Sequence, residues 1–102
     1  MYRSLIKWVN VPFIIKPFKA RTGTGSFEFF DDVEALCYPV QQDTDIIDSA
    51  GAEVVSTHQL YLKGDTDIKV TDHVVFDNDE HSIKSIHSFY RNGKVDCKVV
   101  YL

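Results

Sequence analysis

The sequence predicts an all-β chain: a small antiparallel β-barrel, or a sandwich, with a long loop between two of its strands. Three observations carry this. Val and Ile together number 20 against 9 for Ala and Leu, and branched side chains suit a pleated surface better than a helix. Apolar residues alternate with a period of two in several stretches. Turn signals punctuate the chain at short intervals, with Asn92-Gly93 the strongest. At 102 residues one domain with one core is expected, spanning 1–102.

The N-terminal stretch MYRSLIKWVNVPF has no sustained apolar run and does not read as a signal peptide. Residues 1–12 are expected to run extended. Pro12 and Pro17 confine VPFIIKPFK to an edge strand or an irregular extended segment. After the flexible RTGTG turn, SFEFFDD and VEALCYPV form one long or two broken strands. Residues 41–52 (QQDTDIIDSAGA) lack strand character and, with Glu53, read as a long loop over 41–53, of a length that usually serves function or motion. EVVSTHQLYLK is a strand with Val54, His58, Leu60 and Leu62 on one side and Val55, Thr57, Gln59 and Tyr61 on the other. HVVFD is a short strand closed by a tight turn at Asn78-Asp79-Glu80. HSIKSIHSFY and KVDCKVVYL then pair across Asn92-Gly93, with Val95, Cys97, Val99 and Tyr101 on one face. The Ile83–Ile86 spacing breaks the alternation and marks a bulge or bend.

Charge and spacing exclude several chemistries. A net charge of −4 and a pI near 5.4 argue against a protein built to grip nucleic acid, which needs clustered Lys and Arg. No run approaches the roughly 18 apolar residues of a helical membrane span. Cys37 and Cys97 lie far apart among apolar residues, as expected of buried, reduced thiols in an intracellular protein. Asp65, Asp67 and Asp72 resemble half of a calcium loop, but Lys69 and Val70 stand where the third ligand and the Gly belong. They read as turn chemistry. His58, His73, His81 and His87 lack the close ligand pairs of a zinc site. Thr22–Gly25 lacks the Lys of a phosphate loop, and no G-x-S-x-G elbow occurs. No catalytic, cofactor or metal residue is therefore expected, and the chain does not read as an enzyme. Phe27, Phe29 and Phe30 resemble a base-stacking cluster, but Glu28, Asp31, Asp32 and Glu34 beside them would repel a phosphate backbone. Packing, in the core or between subunits, is the better account.

One pattern remains, the order of parts from Leu60 to Ile86. A strand ends Leu60-Tyr61-Leu62; Gly64, Thr66-Asp67-Ile68-Lys69 and Thr71-Asp72-His73-Val74 follow; then come a short strand, a tight turn and a further strand. Asp67 and Asp72 are placed to cap the turns of a barrel corner, with Ile68 and Val70 plugging its underside. This order resembles the small β-barrel proteins at the neck of tailed bacteriophages, the head-closure or head-to-tail stopper family. Asn78-Asp79 stands where that family often has Gly, and His81 or Ser82 where it often has Tyr.

The resemblance implies a non-enzymatic virion protein, made in the host cytoplasm. Its members form a homo-oligomeric ring below the portal and adaptor, close the DNA exit channel after packaging, and present a surface to tail-completion or tail-terminator proteins. Genomic double-stranded DNA passes through without sequence-specific binding, and no membrane is involved. The 41–53 loop would be the channel gate: Asp43, Asp45, Asp48 and Glu53 line it with negative charge, Ile46 and Ile47 meet their counterparts in the closed plug, and Gly51 gives backbone freedom. Rings need two complementary faces, for which the candidates are Trp8, Phe13, Phe18, Phe27, Phe29 and Phe30. The rival readings are another neck or tail-completion protein at the head-tail joint, or an oligonucleotide-binding β-barrel.

Overall fold

A computed structural model describes residues 8–21 and 27–102. Nine strands follow in order: β1 (Val11–Lys16), β2 (Phe18–Arg21), β3 (Phe27–Phe29), β4 (Val33–Ile47), β5 (Glu53–Lys63), β6 (His73–Phe76), β7 (Asp79–Ser82), β8 (Ser85–Arg91) and β9 (Lys94–Tyr101). No helix occurs among the described residues. Seven strands make one antiparallel sheet in the order β7-β6-β1-β4-β5-β9-β8, and β2 and β3 pair apart as a small hairpin.

The sheet curls on itself. His58 of β5 meets Phe76 of β6 at 6.3 Å and His81 of β7 at 5.9 Å between ring centroids. In a flat sheet those strands would lie three and four places away, roughly 14–19 Å. The two edge strands, β7 and β8, are consecutive in the chain and separated only by Ile83 and Lys84. The bend expected near Ile83 is this corner, where the chain leaves the flank of β6 and joins that of β9. One core fills the concave side: Phe13 and Ile15 from β1, Cys37 from β4, Leu60 and Leu62 from β5, Val74 from β6 and Val100 from β9, with Ile68, Ile83 and Leu102.

Two expectations are corrected. β1 is an interior strand, paired with β4 over Val11–Ile15 and with β6 over Ile14–Lys16. Pro12 is tolerated because β6 stops short of it, leaving that stretch with one partner, and Pro17 falls just past the strand's end. Residues 41–53 are mostly strand. The β4–β5 ladder runs on through Thr44↔Ser56, Asp45↔Val55, Ile46↔Val54 and Ile47↔Glu53, with a register shift between Gln41 and Thr44. Only Asp48–Ala52 turns the chain. Cross-strand pairing of branched residues overrides the polar run before Ile46.

Two tight turns use paired left-handed residues, Asp77 (φ 55°) with Asn78 (φ 66°) and Asn92 (φ 53°) with Gly93 (φ 77°). This is the geometry that matches strand twist. The first turn lies slightly earlier than expected, so that Asp79 and Glu80 belong to β7.

Candidate functional site

Past Cys37, β4 loses β1 as a neighbour, and before Gln59, β5 loses its ladder to β9. From there to Asp48–Ala52 the two strands pair with each other as a two-stranded ribbon. Its root is polar and closed. Ser56 is fully buried, and its hydroxyl donates to the Leu102 carbonyl at 2.9 Å, with the His58 carbonyl at 3.0 Å sharing the contact. The Gln59 amide donates to the Gln42 carbonyl at 2.9 Å and to the Ser56 hydroxyl at 3.0 Å. Leu102 continues β9 toward the ribbon, accepting from the Thr57 N–H and donating to the His58 carbonyl. Neither Ser56 nor Gln59 stood out in the sequence. The available signal was that Ser56 shares the parity of core-facing Leu60 and Leu62.

At the far end, Asp48 is committed to the turn. Its Oδ1 accepts the N–H groups of Ala50 (3.0 Å) and Ala52 (2.8 Å). Asp48 also donates its own N–H to the Ala52 carbonyl, and Gly51 (φ 86°) donates to the Asp48 carbonyl. Asp48 is therefore a turn-former, not a free acid lining a channel. The Ser49 N–H donates to the Lys84 carbonyl at 3.1 Å, which ties the tip to the β7–β8 corner. Asp43, Asp45 and Glu53 are exposed. Ile47 is 56% and Val55 50% exposed, and these two are diagonal neighbours on one face, opposite Glu53 and Asp45 respectively. Ile46 is half-buried against Val54 on the other face. An open groove of about 570 Å³ follows these six residues, Asp45–Ile47 and Glu53–Val55.

The Lys63–Asp72 segment treats its acids differently. Asp72 is buried, and its two oxygens accept the Phe18 N–H at 2.9 Å and the Lys69 N–H at 2.8 Å. One carboxylate thus holds both the corner loop and the entry to the β2–β3 hairpin. Ile68 sits in the core and Val70 packs against it. Gly64 lies so close to β9 that a Cβ there would overlap the Val95 carbonyl. The Lys98 ammonium donates to the Thr66 carbonyl at 2.6 Å. Asp67 is exposed, and none of the described hydrogen bonds ends on it; the turn before it is closed by the Thr66 N–H on the Lys63 carbonyl.

The aromatic candidates for subunit contact separate. Phe13 is 3% exposed and belongs to the core, because β1 is interior and places it inward. Trp8 and Phe30 are exposed. Phe18 and Phe29 are half-buried and meet edge to face at 6.3 Å, and Phe29 also lies 4.8 Å from His73. The Phe27 side chain lies outside the described residues.

Two further titratable groups are shifted by their surroundings. Glu80 accepts from His73 Nδ1 at 3.0 Å and Lys16 Nζ at 2.9 Å, which holds its carboxyl below the usual glutamate range. Burial pushes the Cys37 thiol up to about 12, far from a reactive thiolate. Among the described residues no group of three or more His, Cys, Asp or Glu side chains converges in a metal-binding arrangement. No family model matches the chain, and no curated protein matches it.

Proposed function

We propose that this chain is a structural protein of a tailed-phage neck, forming a ring below the portal and adaptor whose ribbons close the DNA exit channel. The supporting observation is the ribbon. It carries exposed Asp43, Asp45 and Glu53 with bare Ile47 and Val55, and no Lys or Arg occurs from Gln41 to Leu62. Such a surface repels a phosphate backbone, while the diagonal Ile47–Val55 pair, flanked on the same face by Asp45 and Glu53, offers apolar contact to neighbouring copies. In the ring the gate is a hydrogen-bonded ribbon moving as a unit about its Ser56–Gln59 root. In the single chain the tip bonds the Lys84 carbonyl through a backbone contact worth about 1 kcal/mol, which a moving ribbon gives up. The outer surface of the ring would meet tail-completion or terminator proteins.

The test is a shortened ribbon. Thr44 and Ser56 are ladder partners, so Asp45–Val55 can be replaced by an Asn-Gly turn that keeps the root. The variant should fold and bind DNA-filled, tailless heads, yet let them lose DNA. Heads that stay full would refute the gate. A second reading, a single-strand-binding barrel, draws on the Tyr38–Tyr61 pair at 6.0 Å. It predicts a salt-sensitive gel shift with oligonucleotides.

A further inference from the structure

We propose that a groove beside the start of β4 seats the tip of the β8–β9 hairpin from a second copy of this chain, joined head to tail. The groove measures about 310 Å³ and is lined by Ile15, Val33, Ala35 and Leu36, with Glu34, Asp67, Thr66 and Lys63 around it. Val33, on the Ile15 face of β4, is 48% exposed, and Leu36, on the alternate face with Glu34, is 46% exposed. Exposed Asp31, Asp32 and Asp65 lie close by in the chain, against two cations, Lys63 and the Lys98 that bonds the Thr66 carbonyl.

The hairpin tip has the opposite character. Phe89 is 46% and Tyr90 70% exposed, so the chain's own groove does not bury them. Arg91 and Lys94 follow, and no carboxylate occurs between Phe89 and Val95. Arg91 and Lys94 are ladder partners across the Asn92-Gly93 turn. Two like charges side by side destabilise a hairpin in a lone chain, and an acidic rim relieves them. The tip cannot pair with another tip, because both are cationic. An apolar groove with an acidic rim accepts both its aromatic and its basic residues, and this chain supplies one. A contact between two different patches is heterologous, and repeats until it closes. Its closure into a ring rests on the neck reading above; the pairwise contact does not.

The experiment replaces Tyr90 with photoreactive p-benzoylphenylalanine and irradiates a mixture of light and heavy-isotope protein, so that links between chains are told from links within one. Links between chains should fall on residues 33–36 or 63–67. The pair Glu34→Lys with Asp67→Lys should cut their yield roughly tenfold, as should Arg91→Glu with Lys94→Glu. Mixing the two charge-reversed proteins should restore it. Absence of links between chains, links landing elsewhere, or yields indifferent to the reversals would overturn the contact. If the links form as expected but the protein does nothing to DNA-filled heads, the contact stands and the neck reading fails. If the protein retains DNA in heads without these links, the reverse holds.

Discussion

The ribbon and the Lys63–Asp72 corner are both rich in aspartate, yet they use their carboxylates differently. At the corner, Asp72 is buried and accepts two backbone N–H groups from segments far apart in sequence, fixing the β2–β3 hairpin to the sheet. On the ribbon, Asp48 makes a similar pair of bonds, but both come from its own turn. The remaining acids of the ribbon, Asp43, Asp45 and Glu53, are exposed. What sets a carboxylate's role here is which amides lie within reach, and whether water competes for them. The density of acids along the chain does not.

The largest expected effect is at Asp72. Asp72→Ala leaves the Phe18 and Lys69 N–H groups without their charged acceptor, and should cost about 3 kcal/mol in urea unfolding. Asp48→Ala should cost about 1 kcal/mol at most, because water replaces the lost acceptor. Its effect should appear instead as faster amide exchange at Ala50 and Ala52 with global stability nearly unchanged. Equal losses at the two sites would break the comparison.

Gly64→Ala probes the close approach of the corner to β9. The added methyl meets the Val95 backbone, which cannot rotate away as a side chain would, so β5 and β9 must part, at about 2 kcal/mol. Gly51→Ala meets open space, and its cost is confined to the left-handed backbone, about 1 kcal/mol. Chemical denaturation of both variants should keep that order.

The smallest effect concerns Glu80. Its carboxyl is held low by hydrogen bonds from His73 and then Lys16. A lowered carboxyl stabilises the fold above the ordinary glutamate pKa, and that contribution disappears as pH falls through the value in the folded protein. Glu80→Gln should therefore melt slightly below the unmodified protein at about pH 7, and the two should coincide at about pH 2. The pair is partly exposed, and solvent screening keeps the gap small. A gap that persists in acid would contradict the ion-pair origin.

Much of this fold was legible in the chain. Asn92-Gly93 and the alternation from Val95 to Tyr101 led directly to the β8–β9 hairpin. The broken spacing at Ile83–Ile86 marked only a bend in a stretch read as one strand, which the structure divides between β7, paired with β6, and β8. The strand Glu53–Lys63 appears with its expected bounds. The ribbon was hidden because Gln41–Asp45 carries no apolar pattern: both of its faces leave the core, so pairing with β5 holds it, and pairing partners are not visible in a local window. The interior place of β1, and with it the burial of Phe13, depended on β6 returning from sixty residues further on. At the ribbon root, Ser56 and Gln59 matter through bonds to Leu102 and Gln42, which no spacing rule joins. The exposed tip Phe89–Lys94 was readable as a turn; its role as a surface needed the exposure of Phe89 and Tyr90.

The place proposed for this chain is the portal exit of a packaged head. Purified protein should be mixed with isolated DNA-filled, tailless heads and imaged by electron microscopy. Added density is expected as a ring at the portal vertex, with the channel below the DNA occluded. Protein that stays in solution, or decorates the capsid without preference for that vertex, would contradict it.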